Sequence, residues 1–202
     1  MKLKGFVIFV LLTTSALLCA AQQSLKKTDL TIADREAWRH VLQWPTELEQ
    51  QWQQSRADKK SEASGLNFYD LGRGNYLVAI EVLESAYQPR YIFIHYSDSK
   101  SPRSPAPARL LKLKTYERDD DHEGTVSTRL VTEVEGTASF DETKKQLVLY
   151  TRGRGTLDCG SLVRYRILPT RTVPLEARAH GCYDDYTLGI TNPLRWKRIK
   201  PL

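Results

Sequence analysis

The chain has 202 residues, with 30 Lys and Arg against 24 Asp and Glu, a formal charge of +6 and three cysteines. That length suffices for one domain with a proper core. A basic excess this mild, interspersed with acids, argues against a nucleic-acid binder, which concentrates its charge. The excess leans toward Arg195, Lys197, Arg198 and Lys200, where a solvated tail accounts for it as well as an anionic partner would.

The first residues read as a secretory signal. Lys2 and Lys4 give the positive start, Phe6 through Leu12 and Ala16 through Leu18 the apolar stretch, and Cys19-Ala20-Ala21 the small residues before a cut after Ala21. A retained anchor is disfavoured, because a spanning helix needs about 20 apolar residues and Thr13, Thr14 and Ser15 interrupt this one. Lipid attachment at Cys19 is disfavoured by the large Leu18 before it. Without Lys2 and Lys4 the balance falls to 28 basic against 24 acidic residues. The expected organisation is a signal peptide over 1–21, a helical segment and linker over 22–64, and a β domain over 65–202. No membrane span is expected after cleavage, and the periplasm is the expected destination. The mature chain keeps Cys159 and Cys182, which in an oxidising compartment most simply form one disulfide.

Two helical signals come first. Thr31 followed by Asp34 approximates a capping box, and Trp38, Val41 and Leu42 share one side at helical spacing. Pro45 interrupts after Trp44. Thr46 with Glu49 repeats the capping grammar, and Leu48 with Trp52 forms an i, i+4 apolar pair. Residues 53–64 turn polar and read as a linker.

After Gly65 the period changes to two. Leu66 to Leu71, Tyr76 to Leu83 and Tyr91 to Tyr96 are rich in aromatic and β-branched residues, separated by Gly72-Arg73-Gly74 and by Gln88-Pro89. Tyr76 to Leu83 is apolar almost throughout, which predicts a central strand covered on both faces. Ser97 to Ala108, with Pro102, Pro105 and Pro107, reads as a mobile loop. Val126, Thr128, Leu130, Thr132 and Val134 alternate with polar residues, so one face is wet. Leu147 to Thr151 follows a turn at 141–145. Val163, Tyr165 and Ile167 oppose Arg164 and Arg166, while Val173, Leu175, Ala177 and Ala179 oppose Glu176, Arg178 and His180. The pattern predicts a mainly β, α+β fold: an antiparallel β-meander with two short N-terminal helices docked at one side, stapled by one disulfide. Closed barrel, sandwich and open meander remain open alternatives.

The densest cluster of special residues runs from Arg152 to Gly160. Three glycines in eight positions permit positive φ and close backbone approach. The cross-link would join the two ends of a hairpin whose strands run toward Arg166 and from Val173. Arg152-Gly153-Arg154-Gly155 leading into Asp158-Cys159-Gly160, then Cys182-Tyr183-Asp184-Asp185, resembles an exported Gram-negative family classed as a domain of unknown function (the DUF 1176-type family). Asp34 to Trp38, Trp44-Pro45, Tyr69 to Leu77 and Ala86 to Pro89 fit the same pattern. Members often carry a further cysteine where Leu48 and Glu49 stand here, so a second disulfide is excluded. The resemblance implies a periplasmic, disulfide-bonded domain and supplies no catalytic residues.

Arg152 and Arg154 are candidates to present paired guanidinium forks to an anion, although local pairing with Asp158, Asp184 or Asp185 explains them more simply. Tyr69, Tyr76, Tyr87 and Tyr91 join them as candidate contacts, since Tyr and Arg anchor interfaces. Asp119-Asp120-Asp121-His122-Glu123 lacks the spacing and glycine of a calcium loop, and His180, Cys182 and Asp184 are a poor zinc set once the cysteine is bridged. Ser161 has no nucleophile elbow around it. No metal and no cofactor are expected. The preferred expectation is a non-enzymatic periplasmic domain that binds another protein or an envelope component. One alternative is an inhibitor or immunity-type protein against a cell-wall hydrolase, entering through loops at 97–109 or 152–156. The other is an envelope hydrolase using Asp158, Asp184 and His180.

Overall fold

The computed structural model describes residues 25–58, 62–85, 87–98, 107–118, 125–153, 159–182 and 191–200. The expected signal segment and cleavage point lie outside them. Two helices, α1 (Ile32–Leu42) and α2 (Thr46–Ser55), precede twelve strands. These are β1 (Leu66–Gly72), β2 (Asn75–Leu83), β3 (Arg90–Ser97), β4 (Ala108–Leu110), β5 (Leu113–Arg118) and β6 (Val126–Val131). After them come β7 (Glu133–Glu135), β8 (Thr137–Asp141), β9 (Gln146–Arg152), β10 (Gly160–Leu168), β11 (Arg171–His180) and β12 (Lys197–Ile199). A 3₁₀ turn at Pro193–Arg195 precedes β12.

All pairings are antiparallel. One sheet runs β1-β2-β3-β4, with β7 also on β3, and a second runs β12-β11-β10-β9-β8. Neither closes on itself. A third, two-stranded ribbon pairs β5 with β6. The result is three layers: helices, first sheet, second sheet. Leu77, Ala79 and Phe93 face the second sheet, in one core with Leu147, Leu149, Val163, Tyr165 and Ala177. Val78, Ile80, Val82, Ile92 and Ile94 face the helices, beneath Trp38, Leu42, Trp44 and Leu48. Residues 77–80 of β2 are 0 % exposed, so the central strand is dry on both faces, as its unbroken apolar run predicts.

The stretch read as one alternating strand from Val126 to Val134 is two. β6 pairs with β5 and β7 with β3, with a break at Thr132. The ribbon has water on its outer side, which leaves Leu130 64 % exposed. Past Gly136 the chain crosses into the second sheet as β8. There a Cβ would meet the Tyr150 carbonyl at 2.5 Å, so only glycine turns this corner. β4 and β5, between Ala108 and Arg118, were not legible as strands because prolines precede them and their apolar residues are few. Residues 99–106, the proline-rich part of the expected loop, lie outside the described residues.

The first helix starts as its sequence predicts. Asp34 N–H donates to Thr31 Oγ1 at 3.3 Å, and Thr31 N–H donates to Asp34 Oδ2 at 2.8 Å. The second does not. Its cap is Pro45, without a side-chain hydrogen bond, because Glu49 is drawn inward instead of back to Thr46. Arg35, 1 % exposed, donates Nε to Glu49 Oε1 at 3.0 Å and Nη2 to Oε2 at 2.7 Å. Its remaining donors reach the carbonyls of Ser64 at 2.9 Å and Glu81 at 3.0 Å. The guanidinium stacks 3.7 Å from the Trp52 ring centroid, and Trp44 Nε1 donates to Glu49 Oε2 at 3.0 Å. Burial pulls the Arg35 pKa down, while Glu49 opposes that shift. One ion pair therefore joins both helices to the entry of β1 and the exit of β2.

Removing one member of such a pair strands a buried charge. Glu49→Ala is expected to cost about 3–5 kcal/mol of unfolding free energy, and Arg35→Met with Glu49→Leu to recover most of it. Chemical denaturation of the three proteins measures the difference. His95, 7 % exposed on β3, is a packed strand histidine whose pKa is lowered, first by burial and then by Arg109. The unfolded chain, with a histidine pKa near 6.5, takes up its proton first. The stability contributed by neutral His95 is complete above that pH and is lost as the pH falls through the lower folded-state value. The denaturation midpoint is expected to drop more between about pH 7.5 and about pH 5.5 than it does in His95→Phe.

Candidate functional site

The inter-sheet core takes alternate residues of the second sheet and obliges the others to face outward. In register, the outward positions form rows across the strands. Arg152 lies beside Gly160 and His180. Tyr150 lies beside Leu162, Arg178 and Arg198, and Val148 beside Arg164 and Glu176. Gln146 lies beside Arg166 and Val173, and Leu168 beside Arg171. Apart from Glu176, and Asp141 where β8 extends the Gln146–Arg166 row, every outward residue of β8–β12 with a permanent charge is an arginine.

The electrostatics follow from that census. Glu176 accepts from Arg178 Nε at 2.7 Å and lies 3.2 Å from Arg164 Nε. The Arg178 hydrogen bond leads in holding the Glu176 carboxyl below its usual range, and the charges of Arg178, Arg164 and Arg198 add to it. Arg178 Nη1 also donates to the carbonyls of Leu194 at 2.6 Å and Trp196 at 3.2 Å. This ties the face to the segment where Trp196 packs near Tyr150 and His180. Arg166, Arg171 and Arg198 are exposed, with no ion-pair acid among the described residues.

A bulge supplies part of this face. Arg164 pairs with Glu176 but Tyr165 pairs with Pro174, leaving Leu175 as an extra residue. The strict alternation read from Val173 to Ala179 therefore fails: Val173 and Arg171 are turned to the arginine side. Arg164, Arg166 and Arg178 had a legible signal in their two-residue spacing. Arg171 had none, because one extra residue on a strand reverses the phase of everything before it. The basic residues look scattered along the chain, and the fold collects them.

The disulfide closes the same hairpin at its open end. Cys159 and Cys182 are joined with Cα atoms 4.8 Å apart across 23 positions. Gly153 N–H donates to the Cys159 carbonyl at 3.0 Å. A Cβ on Gly153 would lie 2.6 Å from Cys182 Sγ and 2.9 Å from Cys159 Sγ. Gly160 has φ +135°, and a Cβ there would collide with the Thr151 carbonyl. Close approach is what these two glycines provide.

The residues singled out in the sequence do not converge on one surface. Tyr69 stacks on Phe140 at 4.8 Å, and Tyr91 sits 6.1 Å from Phe93. Burial, with Glu81 and Tyr69, pushes the Tyr91 hydroxyl pKa up to about 12. Tyr76 is on the helix side, its ring 4.8 Å from Lys27 Nζ. Tyr87 alone of the four is an open contact, 50 % exposed. Arg152 lies 5.9 Å over its ring and donates Nη2 to its carbonyl. Gln88 holds them together, donating Nε2 to the Arg152 carbonyl at 2.8 Å and accepting from its N–H at 2.7 Å. No carboxylate among the described residues pairs with Arg152. Arg154, Asp158, Asp184, Asp185 and the acidic run 119–123 lie outside the described residues, as do most of the two loops assigned to an inhibitor and two members of the hydrolase triad.

Cys159→Ser with Cys182→Ser is expected to lower stability by about 3 kcal/mol, the loop entropy released in the unfolded chain. Gly153→Ala is expected to destabilise the bridged protein and to cost much less in the cysteine-free background, because the clash is with sulfur. Urea denaturation of the four proteins separates the two effects. No protein-family model, no curated protein and no solved structure matches this chain.

Proposed function

We propose that the protein is a non-enzymatic, exported binding domain that holds an anionic, phosphate-bearing component of the cell envelope on the outer face of its second sheet. Six arginines against two carboxylates on that face, Glu176 and Asp141, are the observation that carries this reading. Neighbouring strands lie about 4.8 Å apart, so guanidinium groups from adjacent strands can reach one cluster of phosphate oxygens. The planar fork of arginine matches phosphate bidentately. The arrangement also works against the fold, since like charges directly opposite destabilise a sheet and Arg178 stands opposite Arg198. A surface selected for stability alone would place an acid there. The disulfide fits an oxidising compartment, in keeping with export.

Sedimentation with vesicles tests the reading. Binding is expected to phosphatidylglycerol vesicles and not to phosphatidylcholine vesicles, weakening as salt rises. Each arginine near such a surface contributes about 1 kcal/mol, so Arg166→Glu, Arg171→Glu and Arg198→Glu together are expected to weaken binding by about 100-fold or more. Equal binding by the triple variant overturns the assignment. Binding of inorganic pyrophosphate more tightly than the vesicles identifies a soluble phosphate, in place of a lipid headgroup, as the ligand.

A further inference from the structure

β1 is an edge of the first sheet, paired only with β2. Its ladder phase is fixed at the start, where Glu81 N–H donates to the Gly65 carbonyl at 2.8 Å. Gly65 and Glu81 are therefore a hydrogen-bonded pair. By alternation Asn67 and Tyr69 turn their backbone groups toward β2, while Leu66, Phe68 and Asp70 turn theirs away from the sheet.

Two of those outward groups are capped. Leu66 N–H donates to Ser64 Oγ at 3.2 Å, and the Asp70 carbonyl accepts from Lys145 Nζ at 2.7 Å. Between the caps, the Leu66 carbonyl, both backbone groups of Phe68 and the Asp70 N–H have no hydrogen-bond partner among the described residues. An added strand centred opposite Phe68 pairs all four. An open edge of this kind is a template for another strand.

The surroundings admit one extended chain. A trough of about 490 Å³ runs along residues 64–69. Lys27 to Leu30 line it from the helix layer and Glu142 from the β8–β9 turn of the second sheet. Walls on both sides of the edge oppose the broad sheet of a second copy and leave room for a single strand. Of the charged side chains among the described residues that line the trough, Asp29, Glu81 and Glu142 are acidic and Lys27 alone is basic. Lys27 Nζ is already held 3.0 Å from Asp98.

We propose that the free edge of β1 is a docking site for a short, extended, lysine- or arginine-bearing segment of a partner protein, taken up by β-strand addition. The site is separate from the arginine face and does not depend on its assignment. Four backbone hydrogen bonds give it register, and the acidic rim gives it sign.

The test uses the mature chain and two capped peptides, Lys-Val-Lys-Val-Lys and Glu-Val-Glu-Val-Glu, followed by amide hydrogen exchange. The basic peptide is expected to bind and to slow exchange of the Phe68 and Asp70 amides at least 10-fold, with the Asn67 and Tyr69 amides unchanged. Asp29→Asn with Glu142→Lys, both outside the ladder, is expected to weaken binding at least 10-fold while the β1–β2 amides stay protected. Asp70→Pro removes an outward donor together with the Oδ1 that accepts from Gly72 N–H at 2.7 Å; it is expected to abolish the effect in a folded protein, whereas Asp70→Ala, which loses only the side chain, is expected to keep it. Arg166→Glu with Arg198→Glu is expected to leave peptide binding intact, which separates this site from the arginine face. Equal binding of both peptides, binding without protection of Phe68, or no binding at millimolar peptide overturns the proposal. A concentration-dependent dimer abolished by Asp70→Pro overturns it in favour of a second copy.

Discussion

The second sheet must keep one face dry, and the chemistry of its other face follows from that. Leu147, Leu149, Val163, Tyr165 and Ala177 are committed to the core shared with β2 and β3, so their neighbours are turned to the other face, where Trp196 covers part of the surface. A one-residue slip of β10 against its neighbours would bury Arg164 and Arg166 and expose the valine and tyrosine now inside, and a slip of β11 would do the same to Arg178 and Ala177. The disulfide at one end of that hairpin and the bulge at Leu175 restrict such a slip from two directions. The arginine face is thus held by packing rather than by its own charges, which repel.

A different device holds the helices. Apolar contact alone would let α1 and α2 slide over the flat, dry surface of the first sheet. The Arg35–Glu49 pair adds direction: its donors end on the Ser64 and Glu81 carbonyls, at two fixed points of the sheet. Stacking of the guanidinium on Trp52 fixes its plane. A buried pair of this type contributes little net stability, and here its evident effect is to set where the helices sit. It also sets Leu30 and Asp29, just before α1, along the edge of β1.

Much of the architecture was legible because it rests on local periodicity. The capping of α1 by Thr31 and Asp34, the two-faced burial of β2, and the bridged β10–β11 hairpin are all visible in the order of residues. The Arg73-Gly74 turn, with φ of +56° and +71°, is legible in the same way. What was hidden depends on pairing between distant segments. Glu49 reads as half of a capping box until Arg35 is brought to it. The break at Thr132 is invisible until β6 and β7 are seen to serve different sheets. The arginine face was the largest omission, because charge counted along a chain does not report which faces the strands share, and Leu175 hides the phase of Arg171. Gly153 and Gly160 were recognised as sites of close approach, but what they approach, a sulfur pair and a neighbouring carbonyl, is a tertiary fact.

Among the described residues, arginines gather on the outer face of the second sheet, and Asp29, Glu81 and Glu142 gather beside the open edge of the first. Fixed charge placed this unevenly lets a charged boundary turn the molecule before any contact forms. A negatively charged layer would then favour approaches in which the guanidinium groups lead.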